Sequence, residues 1–167
     1  MPLAPWIVGW MLVLVPPSLH AVAGESEVEA IVRYHEIAGA MAEAVDLEVD
    51  GASRVRWAAL VVAVAYYEST FRRAVDVGEV RGDGGRAWCL MQVWRAPQGW
   101  PGPDLVRDRV RCFRAGIAML RRSMRWCYRS PAAEQLAGYT AGRCDRGLRR
   151  SRLRMATAAR LLREVAP

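Results

Sequence analysis

The sequence predicts a mainly α-helical domain, on three observations. Hydrophobic residues make up 53% of the chain, many of them Ala and Val. Apolar residues recur at helical spacing in several windows. One window, Arg54 to Tyr67, is apolar nearly all round, the pattern of a helix buried at the centre of a globule. A chain of 167 residues is usually one domain and is long enough to bury a core.

The first element is a leader-like segment. Pro5 to Leu19 is apolar, and Ala21-Val22-Ala23 supplies the small residues that a signal peptidase prefers. The apolar stretch is about fifteen residues, short of the roughly twenty that span a membrane. Pro16 and Pro17 interrupt any helix near its end. No Lys or Arg precedes the apolar run. The expectation is a signal peptide over residues 1–23, cleaved near Ala23-Gly24, with an uncleaved anchor as the alternative. The remaining domain, 24–167, is then periplasmic or secreted.

Glu25 to Leu47 follows as a helix, with Val28, Ile31, Val32, Ile37, Met41 and Val45 near helical spacing. Acids cluster on its other face and suit its positive end. Asp50-Gly51 is a turn, and Arg54 to Tyr67 is the central helix. Arg72 to Arg86 is polar and holds Gly78, Gly82, Gly84 and Gly85. It reads as a loop or small hairpin leading into a strand at Leu90-Met91-Gln92-Val93. Ala96 to Pro103 is a loop. Arg107 to Trp126 is a helix with Val110, Phe113, Ile117 and Leu120 on one stripe. Ser130-Pro131 caps a short helix, Ala132 to Tyr139. Ser151 to Val165 is a basic final helix.

Four cysteines, Cys89, Cys112, Cys127 and Cys144, suggest two disulfides in an oxidising compartment. Cys112 and Cys127 are disfavoured as partners. Along one helix they stand roughly 22 Å apart, whereas a bridge tolerates roughly 6 Å between Cα atoms. Each is therefore expected to pair with Cys89 or Cys144 unless the helix breaks. No C-x-x-C occurs and His35 is the only His after the leader, so no metal site is expected. No cofactor is expected either: Walker A and G-x-G-x-x-G patterns are absent, as is the G-x-S-x-G elbow.

Charge is uneven. Residues 25–50 hold eight acids and one Arg, whereas residues 51–167 hold twenty-three Arg and nine acids. Every basic residue other than His is Arg. That suits the base composition of a gene, or attraction to a polyanion such as an anionic cell wall. Arg143 to Arg163 lacks the interleaved aromatics of a single-strand binder, so no nucleic acid is expected. Its basic face reads as solvated.

Glu68 is the residue that stands out. It closes the apolar run after Tyr66 and Tyr67, at the negative end of a helix, where an acid is poorly placed. A residue that breaks a local rule without structural gain is a functional candidate.

Glu68-Ser69-x-Phe71, then Leu90-Met91-Gln92, then Tyr139-Thr140-Ala141-Gly142 resemble three ordered motifs of lysozyme-like lytic transglycosylases. Those motifs read roughly E-S-x-F, G-L-M-Q and Y-N-x-G. Goose-type lysozymes look similar, and the resemblance covers roughly residues 52–143. It implies a lysozyme-like helical domain with a small β-hairpin beside the cleft. It also implies a monomer acting on peptidoglycan glycan strands, with the anionic wall meeting the Arg-rich surface. Two positions depart from the motifs. Cys89 replaces a Gly and Thr140 replaces an Asn.

By that resemblance Glu68 is the catalytic acid and base. Such an acid must stay protonated near neutral pH, which apolar surroundings favour. Ser69 bonds Glu68 or a sugar, Gln92 lines the cleft and bonds an N-acetyl group or hydroxyl, and Met91 packs beneath the sugar. Tyr139 orients the acid. A hydrolase needs a second carboxylate, for which Asp76, Glu79 and Asp83 are candidates. A lytic transglycosylase needs none, because the substrate's own groups complete a 1,6-anhydro end. The lyase reading is preferred, with a muramidase or a non-catalytic peptidoglycan binder as alternatives.

Overall fold

The computed structural model describes residues 2–164 and is mainly helical. The first helix, α1 (Ala4–Leu14), stops at Val15, ahead of Pro16, a residue that bars the α conformation before it. A 3-10 turn, Pro17–Ala23, ends at Gly24, whose φ of 77° is left-handed. The leader-like segment is packed into the body. Ile7, Trp10 and Met11 are fully buried, and α1 lies against the next two helices. Trp10 Nε1 donates to the Leu161 carbonyl at 3.0 Å. Among the described residues, no single helix is long and apolar enough to cross a membrane.

Helix α2 (Glu27–Glu48) starts with a capping box. Ser26 and Glu29 each satisfy the other's backbone N–H. Helix α3 (Arg54–Ser69) is the expected central helix, and every residue from Ala58 to Ala65 is buried. Their small Ala and Val side chains let α1, α2 and α8 (Leu148–Glu164) pack around it. A short α4 (Arg73–Asp76) follows.

The helix expected over Arg107 to Trp126 divides into α5 (Gly102–Arg107) and α6 (Arg109–Trp126). Asp108 ends the first and caps the second, accepting from the Arg111 N–H at 3.1 Å. The short helix expected over Ala132 to Tyr139 becomes a 3-10 turn, Ala132–Glu134, and then α7 (Ala137–Ala141). Gly142, at φ 67°, ends α7. Helix α8 begins earlier than expected, and Val165, its expected end, lies outside the described residues.

The hairpin expectation needs correction. No strand forms among the described residues; two isolated antiparallel bridges, Gly82 with Ala87 and Trp88 with Val93, take its place. Leu90-Met91-Gln92 is a tight turn, not a strand. Gln92 N–H donates to the Cys89 carbonyl at 3.0 Å, and Cys89 and Gln92 both have positive φ, 58° and 46°. A disulfide from Cys89 to Cys112 ties this turn to α6. The second, Cys127 to Cys144, joins the end of α6 to the connection after α7. Both pairings avoid Cys112 with Cys127.

Candidate active site

Glu68 lies in the last turn of α3, and hydrogen bonds fix the turn that follows it. Thr70 and Phe71 both sit in the left-handed region, at φ 48° and 51°, a conformation that costs a non-glycine residue about 1–3 kcal/mol. Three bonds fix it. Ser69 Oγ donates to the Ala65 carbonyl at 2.7 Å and accepts from Phe71 N–H at 3.2 Å. Arg33 Nη1 donates to the Phe71 carbonyl at 2.6 Å. Ser69 is therefore buried and spent on its own backbone. Phe71 is core, edge-on to Tyr34.

The carboxylate of Glu68 opens on a cleft of about 680 Å³ between the 82–94 turn, α7 and the start of α8. Gln92, Tyr139, Trp94, Arg150 and Arg154 line it with Glu68. The Glu68 side chain is 20% exposed. Arg154 Nη2 donates to its Oε1 at 2.6 Å, and no other side chain among the described residues bonds the carboxylate.

Gln92 faces the cleft, but both ends of its amide are engaged. Oε1 accepts from Gly82 N–H at 2.8 Å and Nε2 donates to the Cys89 carbonyl at 3.0 Å. Gly82 is needed for this approach, because a Cβ there would overlap Gln92 Oε1. Met91 is fully buried and packs against Gly116 of α6. Its carbonyl accepts from the Tyr139 hydroxyl at 2.5 Å. Burial, followed by the nearby Glu68 carboxylate, pushes the Tyr139 phenol well above its usual value, against the opposing charge of Arg154. Tyr139 thus stands beside Glu68 and braces the Cys89–Gln92 turn.

The candidates for a second acid separate. Asp76 is 4% exposed and gripped by Arg109 at 2.9 and 2.8 Å, and Arg109 also reaches Glu36. It borders a different cavity. Glu79 is exposed and borders no part of the Glu68 cleft. Asp83 does line that cleft, exposed and paired with Arg86 at 3.1 Å. No group of three or more metal-binding side chains occurs among the described residues.

Three cleft residues escape the sequence reading. Trp94 is 51% exposed, with Arg86 and Arg95 near its ring at 5.1 and 5.4 Å. It lies two residues past Gln92, just beyond the turn that ends at Gln92. Arg150 is exposed at the other wall. Arg154 is 6% exposed, although the basic face of α8 suggested solvent. Its signal was its spacing, because Arg154, Ala158 and Leu161 fall at i, i+4 and i+7, on one helix face. Its guanidinium lies over Tyr67 at 5.2 Å and donates through Nη1 to the Arg150 carbonyl at 3.1 Å. Arg154 Nε is buried with no partner, a cost of about 1–3 kcal/mol.

Comparison with known proteins finds no family model, curated protein or solved structure that matches this chain.

Proposed function

We propose that the protein is a peptidoglycan lytic transglycosylase with a lysozyme-like helical fold, acting in the periplasm or outside the cell. One observation carries the reading: the three motif regions, spread along the sequence from Glu68 to Gly142, meet at one cleft around Glu68. The two disulfides fit an oxidising compartment.

The chemistry follows from the groups present. Glu68 protonates the glycosidic oxygen between MurNAc and GlcNAc as the C1–O bond breaks, and positive charge builds on the sugar ring. The substrate's N-acetyl group supports that charge. The 6-hydroxyl then attacks C1 and gives its proton to the Glu68 carboxylate. The products are a 1,6-anhydro end and a free 4-hydroxyl, with the acid restored. Trp94 offers an exposed ring for a sugar face. Gln92 contributes by holding the turn that shapes the wall.

Asp83 favours a second reading, a muramidase, because it shares the cleft and is a carboxylate within the same loop. The test is digestion of purified sacculi. Wild-type protein is expected to reduce turbidity and release anhydro-muropeptides, while Glu68→Gln folds and releases none. Reducing ends in place of anhydro ends select the hydrolase. Full activity in Glu68→Gln removes both readings.

A further inference from the structure

The inference concerns Arg154 and rests on the proposed acid role of Glu68. Residues Ser151, Arg154, Thr157, Ala158 and Leu161 form the buried stripe of α8. An apolar side chain at position 154 would pack there without the partnerless Nε. The guanidinium is instead fixed on three sides, by the Tyr67 ring, the Arg150 carbonyl and Glu68 Oε1. Fold stability alone does not explain a buried cation with an orphaned N–H.

We propose that Arg154 is a positioning residue: by holding Oε1 of Glu68 it presents Oε2 to the substrate. With Oε1 bonded to Arg154 at 2.6 Å, Oε2 is the carboxyl oxygen without a protein partner among the described residues. In the proposed reaction that oxygen gives a proton to the glycosidic oxygen and takes one from the 6-hydroxyl, so its alignment governs turnover and not substrate binding. Because the Tyr67 ring and the Arg150 carbonyl already anchor Arg154, the alignment is set before substrate arrives.

The test compares Arg154→Met, Arg154→Gln and Arg154→Lys with wild type on purified sacculi, with thermal melts of each. Met and Gln, which cannot hold Oε1 as Arg154 does, are expected to lower kcat about a hundred-fold with KM within about twofold, as for misalignment at the reacting atom. Lys, which keeps the charge, is expected to recover most of the loss. Should Arg154→Met fail to fold, Arg154→Gln decides. Turnover at the wild-type kcat in a folded Met or Gln variant overturns the proposal alone. Wild-type protein that cleaves no sacculi overturns the transglycosylase reading, and this one with it.

Discussion

The hydroxyl of Tyr139 donates to the main-chain carbonyl of Met91 at 2.5 Å, joining α7 to the turn that walls the cleft. The two residues are forty-eight positions apart, so this is a tertiary brace and not a local contact. Its hydroxyl is spent on that brace and not on the Glu68 carboxylate, which Arg154 bonds.

Tyr139→Phe removes the donor and leaves a buried carbonyl unpaired. The expected loss is about 1–3 kcal/mol of stability, read by urea unfolding, with reduced activity on sacculi. Unchanged stability would mean that the turn is held by Gln92 and the disulfide alone.

Gly82→Ala places a Cβ where Gln92 Oε1 lies. Gln92 must leave its bond with Gly82 N–H. The expected result is a large fall in activity with a smaller fall in melting temperature, because the displaced amide lies at the cleft wall and not in the helical core. Activity equal to wild type would separate Gln92 placement from function.

Removing the Cys89–Cys112 bridge, by Cys89→Ser with Cys112→Ser, frees the turn from α6. A bridge of this kind is worth about 2–4 kcal/mol. Both stability and cleavage are expected to fall. Loss of the Cys127–Cys144 bridge acts on the other wall, because it joins α6 to the segment between α7 and α8.

A chain beginning at Gly24 lacks Ile7, Trp10 and Met11, all fully buried in the complete fold. Emptying a large buried site costs about 2–5 kcal/mol per side chain. The truncated chain is expected to melt far lower than the full chain or to lose cooperative unfolding, seen by circular dichroism. An unchanged melting curve would show that α2, α3 and α8 close over the gap.

Stability is expected to fall as pH drops from neutral. Burial and then the charge of Arg33 lower His20 below its ordinary 6.5, against Glu25. The hydrogen bond from Arg33 lowers Glu25 below its ordinary 4.5, against burial. For both groups the unfolded chain binds the proton first, so the stabilisation is complete above the unfolded value and declines as pH falls through the folded one. Melting temperature should decline first below about pH 6.5 and again below about pH 4.5. His20→Gln should flatten the upper part of that decline. A melting temperature constant from pH 7 to pH 4 would sink the assignment.

The helices were legible from the placing of their apolar residues, by period in α6 and by continuity in α3, where a run of Ala and Val with no charged residue from Trp57 to Tyr67 has one place to go. The turn at Cys89–Gln92 was not legible. Leu90-Met91-Gln92-Val93 has strand-forming side chains, but Cys89 and Gln92 are forced to positive φ by the Gln92 bonds to Gly82 and Cys89. Those bonds exist only once the loop has closed. Glu68 was legible as an acid at the wrong end of a helix. Its partner was not, because Arg154 resembles the other arginines of α8 until the helix phase is fixed by Leu161 and Ala158. The sequence does not choose a fate for helix α1, since a short apolar run before small residues has the same composition whether it is excised or buried.

Glu68 is carried by the third helix, and the cation against it by the last, which in turn leans on Trp10 near the beginning. During synthesis the acid emerges from the ribosome long before position 154 does. The pair therefore closes only after the chain has been made through position 154 and α8 has formed. On the transglycosylase reading, a nascent or prematurely terminated chain presents its glutamate without its guanidinium, and wall-cutting activity switches on as the final helix docks.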